Sequence, residues 1–215
     1  MSFIRKHLLF GAAASLLIAT QAQAAAVSLS GSFTRDDEVR LLAFSTVATG
    51  LVTIETFSYA GGSNAAGVAV APGGFDPVFA LFSSDGTLLG YGDDGASRTD
   101  PVSGGAFDAW LAITLTAGSY FVAISQFDNF AIGPNYAAGF LETGNSTFTA
   151  AYGCASGQFC DLTGGDRNGN FDISVSGATV PEPVTLALVG LVLPGLWLSR
   201  RRQPARHAAA LAGAA

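Results

Sequence analysis

Carboxylates are the groups in this sequence best placed to do chemistry. The most suggestive of those in the middle of the chain lie at 36–38, 76, 85, 93–94, 166 and 172. Many stand beside glycine or asparagine, and Ca²⁺ takes about six to eight oxygens from Asp, Asn and backbone carbonyls on such loops. Asp93 and Asp94, with Asp76 as a third, are our candidate ligands for a calcium ion.

Two other interpretations of these carboxylates stay open. One is that they are turn residues and a solvated acidic surface with no bound ion. The other is glycoside hydrolysis, which needs two carboxyl groups roughly 5 to 10 Å apart, a distance that a sequence does not give. An EF-hand is excluded because 166–172 has no downstream Glu. Trp110 is the only tryptophan outside the terminal segments, so the aromatic surface on which a glycoside hydrolase would bind its sugar is small. We therefore expect no enzyme.

Histidine and lysine are missing from the middle of the chain. His7, His207 and the single lysine, Lys6, all fall in the terminal segments. The middle therefore offers no histidine to assist a serine or cysteine nucleophile, and no lysine for a Schiff base. From Arg35 to Asp172, four arginines stand against fifteen carboxylates, a formal charge of −11. Such a charge repels phosphate backbones, so we expect no nucleic-acid partner.

The two cysteines, Cys154 and Cys160, are separated by five residues. In an exported chain, cysteines this close are expected to form one disulfide. Zinc is not favoured, since no histidine or further cysteine is there to complete a tetrahedral site. A loop this small removes little chain entropy, so the bridge should add a few kcal/mol at most and mainly fix the loop shape.

Residues 1–24 have the pattern of a Sec signal peptide. Two basic residues precede an apolar stretch over 8–19, and a small-x-small motif ends at Ala24. Cleavage after Ala26 fits the motif nearly as well. The apolar stretch is too short for a membrane helix, which needs roughly 20 residues.

A second apolar run, Val184–Leu198, has no charged residue and is closely followed by Arg200, Arg201 and Arg202. This order predicts a membrane helix with a cytoplasmic tail. A buried core helix is the alternative, but it gives the three arginines no reason to stand at its end. Because the run is short for a span, we expect flanking residues to take part or the bilayer to thin.

The tripeptide Pro181-Glu182-Pro183 precedes the apolar run. Pro-Glu-Pro, one apolar helix and an arginine cluster resemble the PEP-CTERM sorting signal of bacterial proteins, here spanning 180–202. The resemblance implies that an exosortase, a membrane cysteine protease, recognises the tripeptide, removes the helix and releases or transfers the protein outward. The arginines would set its orientation. Members of that family usually end soon after the arginines, whereas here an Ala-rich tail continues over 203–215.

Residues 25–179 suffice for one domain, and their pattern is that of strands. Alternation of apolar and polar residues over 107–115 and 171–176 indicates strands with one solvated face. The other candidate strands, bounded by Gly, Asn, Asp or Pro, lie at 39–46, 50–58, 77–83, 87–91, 119–125 and 147–152. No helical period of useful length accompanies them. Eight short strands without a helix predict an all-β fold, a single jelly-roll-like β-sandwich.

The order of the motifs at 76–86, 93–95 and 115–124 is similar to that of the bacterial pre-peptidase C-terminal domain. The likeness covers about 36–176. That family is a jelly-roll β-sandwich of secreted proteins, some of which bind calcium or matrix polymers. Because the shared motifs are mostly turn residues, the resemblance implies the fold more than any ligand.

These features predict an exported, non-catalytic protein of the cell surface or matrix. We expect signal peptidase and exosortase to process it, and the inner membrane to hold it through its C-terminal helix before processing. By resemblance to PEP-CTERM proteins, extracellular polysaccharide of a biofilm is the expected partner. A carbohydrate-binding module is the alternative, and an acidic-pair hydrolase the next. The aromatic segment 127–136 is expected to be buried as a loop, or else to contact a polymer.

Overall fold

The computed structural model describes residues 26–178. The signal peptide 1–24, the Pro181-Glu182-Pro183 motif, the apolar run and the arginine cluster that the sequence predicts lie outside these residues. Within 26–178, no helix is long and apolar enough to cross a membrane.

Ten β-strands and two short 3-10 helices make up this part of the chain. The strands are β1 Val27–Ser32, β2 Arg40–Thr46, β3 Gly50–Thr56, β4 Gly62–Ser63, β5 Ala69–Val70, β6 Pro77–Ser83, β7 Leu88–Asp93, β8 Trp110–Leu115, β9 Gly118–Gln126 and β10 Asn170–Ser176. The 3-10 helices are η1 Tyr136–Ala138 and η2 Phe148–Tyr152.

The eight longer strands form two four-stranded antiparallel sheets. Sheet A has the order β1-β10-β3-β8, and sheet B has the order β2-β9-β6-β7. The short strands β4 and β5 pair only with each other. The chain passes from sheet A to sheet B and back between β1 and β3. The all-β sandwich predicted from the alternating pattern is confirmed.

The main core lies between the inner faces of the two sheets. Val52 and Ile54 of β3 enter it from sheet A, and Phe79 and Leu81 of β6 enter it from sheet B. Alternate residues do so because successive side chains of a strand point to opposite faces. Burying one such large apolar side chain contributes about 1.5–3 kcal/mol, so this shared core holds the two sheets together.

A second, smaller core covers the outer face of sheet B. The long connection between β9 and β10 folds over this face and packs Phe140 against Ala80 and Phe82. The aromatic segment 127–136 belongs to the same connection, and its Tyr136 meets the ring of Phe82 edge to face at 5.5 Å between centroids. Packing inside the fold is therefore observed for part of this segment.

Two predicted strands differ from the structure. The strand predicted at 147–152 is instead the 3-10 helix η2, Phe148–Tyr152, because Asp36 accepts hydrogen bonds from both the N–H and the hydroxyl of Thr149 and holds the turn inside the fold. The alternation over 107–115 produces a strand only from Trp110 onward. Asp108, predicted to face solvent, is fully buried because its carboxylate accepts hydrogen bonds from a neighbouring loop.

Candidate functional site

The candidate calcium ligands lie at one end of sheet B. Asp76 directly precedes β6, while Asp93 and Asp94 stand at the end of β7, its antiparallel partner. On the other side of β6, Gln126 ends β9 and pairs with Pro77. Antiparallel pairing thus gathers polar side chains from three neighbouring strand ends. The three predicted residues therefore lie at the same end of sheet B, where the charges of Asp94 and Asp93 act on Asp76.

The surroundings at this end of sheet B disfavour negatively charged side chains. Burial, followed by the like charges of Asp94 and Asp93, raises the pKa of Asp76 to about 8. Burial also raises the pKa of Asp93 and of Asp94. None of the arginines within 26–178 forms an ion pair with these three residues. A nearby cation would favour their charged forms.

Other buried carboxylates of the domain are occupied as hydrogen-bond acceptors. Asp108 accepts from the main-chain N–H groups of Ser58, Tyr59 and Ala60 at 2.7, 3.1 and 2.9 Å. Asp36 is held in the same way by three donors. These carboxylates stabilise loops, since a buried polar group is normally hydrogen-bonded.

Asp76 and Asp94 differ from these residues. The Oδ1 atom of each is buried and has no hydrogen-bond donor within the described residues. The same holds for Oε1 of Gln126, while its Nε2 donates to the main-chain oxygen of Cys160 at 3.4 Å. A buried acceptor left without a partner costs about 1–3 kcal/mol. Three such oxygens belong to residues at one end of sheet B.

Two further carboxylate oxygens lack a hydrogen-bond donor, but their side chains are engaged elsewhere. Oδ1 of Asp37 faces Nε of Arg35 at 3.2 Å in an ion pair. Oδ1 of Asp172 is also without a donor, while its Oδ2 accepts from Ser30 and Asn64. Neither residue stands beside a second acceptor of this kind, so neither marks a binding site.

Oxygens that accept and have no donor are the groups that a cation coordinates. The acidic side chains alone do not complete a site, because no three Asp, Glu, His or Cys side chains between residues 26 and 178 are grouped to hold a metal ion. A calcium ion here would need the amide oxygen of Gln126 and main-chain oxygens besides Asp76 and Asp94. Asp93 is exposed beside them.

Other acidic positions serve the fold. Asp85 lies in the β6–β7 turn, where hydrogen bonds from the Ser83 hydroxyl and the Thr87 N–H lower its pKa. In the segment 166–172, Gly169 approaches Phe33 so closely that a Cβ would collide with the main-chain oxygen of Phe33. That glycine is explained by a close backbone contact and needs no bound ion.

A second charged cluster is internally compensated. Arg167 forms ion pairs with Asp100 at 3.1 Å and with Asp161 at 3.5 Å. Its guanidinium carbon lies 3.3 Å from the centre of the Tyr59 ring, and the Tyr59 hydroxyl donates to Asp161 at 2.9 Å. Because the arginine is buried between two carboxylates and a ring, the cluster is a structural brace between loops.

The predicted disulfide between Cys154 and Cys160 is confirmed, with an S–S distance of 1.97 Å. Cys160 is buried, and its N–H donates to the hydroxyl of Thr149 at 3.2 Å. The main-chain oxygen of the same cysteine accepts the hydrogen bond from Gln126. The disulfide loop therefore contacts the polar end of sheet B.

Gln126 is the residue of this site that sequence reasoning missed. It follows Val122 and Ile124 in the inward-facing alternation of β9, and both of those are core residues. An amide at a position where the pattern calls for an apolar side chain is the one signal that the sequence offers. Its neighbour in the fold, Asp76, is fifty residues away in sequence.

Comparison with known proteins adds little to this geometry. No family model matches the chain, and no curated protein matches it. A solved structure, the pre-peptidase C-terminal domain of a collagenase from Bacillus anthracis, is similar at 10% sequence identity, with 70% of this chain and 89% of that chain covered and a TM-score of 0.37. At that level we base no argument about function on the likeness.

Proposed function

We propose that the protein is exported and sorted to the cell surface or extracellular matrix, where its sandwich binds or assembles and does not catalyse. Signal peptidase would cut after Ala24, and exosortase would act at Pro181-Glu182-Pro183. The support is the order of basic, apolar and small residues at the start, and of the tripeptide, Val184–Leu198 and the arginines at 200–202. Until processing, the apolar run would anchor the chain in the inner membrane.

We also propose that the sandwich is a jelly roll. Counting the eight long strands in chain order, sheet A takes the first, eighth, third and sixth, and sheet B takes the second, seventh, fourth and fifth. This nested order is the one expected when two Greek keys fold into an eight-stranded double sheet. The strand order therefore supports the jelly roll, which is a more specific architecture than a β-sandwich.

The binding function rests on one observation, the donor-free buried oxygens of Asp76, Asp94 and Gln126 at a single end of sheet B. We infer that these oxygens, together with main-chain oxygens, hold a calcium ion. The ion would supply the positive charge that this end lacks. Asp93 is exposed beside them and would add its charge from the solvent side.

Calcium would give an acidic domain a means of binding an acidic polymer. With a formal charge of −11 over residues 26–178, the domain alone repels anionic polysaccharides. A bound Ca²⁺ lowers the local negative charge and has room among its ligands for oxygens of a second molecule. The proposed partner is therefore an anionic extracellular polysaccharide.

Calorimetric titration of Ca²⁺ into the chelator-treated mature protein tests this proposal. We expect saturable binding that weakens at least about tenfold in Asp94→Asn, because a carboxylate ligand becomes a neutral amide. Asp85→Asn, the same chemical change in an exposed turn, should bind like the parent. Absence of binding to the parent, or equal affinities in the two variants, would overturn the calcium site. Calcium-dependent retention on an anionic polysaccharide resin tests the partner.

A further inference from the structure

A pocket of about 580 Å³ opens beside the outer face of sheet B. It is lined by the segment 34–40 on one side and by Tyr136, Phe140 and Thr143 on the other. None of these residues belongs to the proposed calcium site. Its size is in the range of small-molecule sites, which run from about 300 to 1,000 Å³.

Arg35 and Arg40 both line this pocket, and the guanidinium carbon of Arg40 lies 5.7 Å from the centre of the core ring of Phe33. The side chains of Arg35 and Arg40 are 58% and 49% exposed, whereas those of their ion-pair partners, Asp37 and Glu38, are only 6% and 10% exposed. The carboxylates are thus much more buried than the guanidinium groups.

The buried carboxylates are fixed by the main chain. Glu38 accepts hydrogen bonds from the N–H groups of Thr34 at 2.7 Å and Arg35 at 3.1 Å. Asp37 accepts from the N–H of Gly144 at 3.0 Å. Because these acceptors are held in place, they orient the arginines without a large loss of side-chain freedom when a ligand binds.

Tyr136 forms an aromatic wall of the same pocket. Its ring is held edge to face by Phe82, Phe121 and Phe140, with centroid distances of 5.5, 5.3 and 6.1 Å. Its N–H donates to the main-chain oxygen of Gly86 at 2.8 Å, which fixes the start of η1. The residue nevertheless keeps 36% of its surface exposed. The Tyr136 ring is thus held in place and partly exposed, so a flat ligand can stack on it.

The other two arginines of the described residues are turned inward. The guanidinium carbon of Arg98 lies 3.9 Å from the centre of the Phe57 ring, and Arg167 is buried against Tyr59. The pocket beside Tyr136 is therefore the place, within 26–178, where two exposed guanidinium groups occur together. On a domain that is otherwise strongly acidic, this pocket, where two arginines balance Asp37 and Glu38, is the surface least unfavourable to an anionic group.

We propose that this pocket binds an acidic saccharide residue, with its carboxylate on Arg35 and its ring against Tyr136. Guanidinium groups bind carboxylates through paired N–H donors. The C–H face of a sugar ring is apolar and flat, and it matches an exposed aromatic ring, whereas an acidic peptide has no such face. The inference deepens the proposed function and rests on it for the presence of an extracellular polymer, but it does not involve calcium.

Binding of a short galacturonic acid oligomer to the mature protein, measured in EDTA, tests this proposal. The neutral galactose oligomer and an oligoglutamate peptide serve as probes of the same length. We expect the galacturonate to bind, and Arg35→Gln to weaken that binding about tenfold, the loss of one charge-assisted pair. Arg98→Gln removes the same charge away from the pocket and should change the affinity less than about twofold.

Tyr136→Leu and Tyr136→Phe test the ring. Leucine keeps an apolar side chain but no ring, so binding should weaken about tenfold, while phenylalanine should keep most of the affinity. Thermal unfolding of each variant shows whether the fold is retained.

Several results would overturn the saccharide site: no galacturonate binding, equal binding of the neutral oligomer or of the peptide, or equal losses in Arg35→Gln and Arg98→Gln. The calcium site is tested independently of the saccharide site, because EDTA removes calcium from the saccharide assay.

Discussion

The N–H of Phe127 donates to the main-chain oxygen of Asp76 at 2.8 Å. This bond continues the β6–β9 ladder one step beyond Pro77 and Gln126. It holds the main chain of Asp76 next to the last residue of β9. Burial at this position raises the pKa of the Asp76 carboxyl to about 8, which links its protonation to folding.

We predict that stability without calcium falls as the pH rises from about 4 to about 8. The folded-state pKa of Asp76 is raised to about 8 from an ordinary value of 3.8, so the folded protein holds this proton more tightly. The stabilisation is complete below the unfolded pKa and is lost as the pH rises through the folded pKa, with a slope of at most about 1.4 kcal/mol per pH unit.

Urea unfolding in EDTA across that pH range measures this slope. Asp76→Asn has no proton to lose and should give a flatter profile, whereas Asp85→Asn should keep the slope of the parent. A parent profile as flat as that of Asp76→Asn would show that Asp76 does not hold its proton in the folded state.

Calcium should raise the unfolding temperature, and more so near pH 8 than near pH 5. The ion favours the charged carboxylates, and a ligand at one hundred times its Kd adds about 2.7 kcal/mol to stability. Differential scanning calorimetry with and without Ca²⁺ measures the shift. Asp94→Asn should lose most of it. An equal shift with Mg²⁺ in both proteins would point to general screening and against a built site.

Asp108→Ala should be strongly destabilising. It would leave three buried N–H groups, those of Ser58, Tyr59 and Ala60, without their acceptor, at a total cost of about 3 kcal/mol or more. Chemical denaturation gives the difference. Asp85→Ala, which removes a carboxylate from an exposed turn, should cost much less, and a similar loss in both variants would contradict the structural role of Asp108.

The double variant Cys154→Ala/Cys160→Ala should lose about 2 kcal/mol of stability, since the bridge closes a small loop. It should also bind calcium more weakly, because the loop holds the amide of Gln126 through Cys160. Urea unfolding and calorimetry measure the two effects. Unchanged calcium affinity in a destabilised variant would show that Gln126 is positioned without the bridge.

Mass spectrometry of the mature protein from cells with and without exosortase tests sorting. We expect a C-terminus near Pro181-Glu182-Pro183 only when the protease is present. An intact chain through Ala215 in both strains would mean that the signal is unused, and the domain would then be sought at the inner membrane.

Sequence patterns predict the strands of this domain well where one face is buried and the other solvated. The strand at 77–83 is observed as β6 with the same bounds. β1 was missed because its alternation is of serine and glycine with few large apolar residues. Asp108 was placed on the solvated face because it continues an alternating run, whereas three loop N–H groups draw it inside.

The candidate site was predictable in part. Acidic residues beside turn glycines mark Asp76, Asp93 and Asp94, but not that Asp76 and Asp94 each have a buried carboxylate oxygen without a donor. That property depends on which strand ends meet, and Gln126 joins them only through the pairing of β6 with β9. The pocket beside Tyr136 depends in the same way on a loop folding over sheet B.

The pairing of Val27 with Val175 puts the first and last strands of the sandwich side by side. The chain therefore enters and leaves the domain at the same pole. β9 runs from that pole for nine residues, roughly 25–30 Å at strand spacing, and ends at Gln126. A domain tethered at its C-terminal side would hold the proposed calcium site outward, at the tip farthest from its tether, and the pocket beside Tyr136 along its flank.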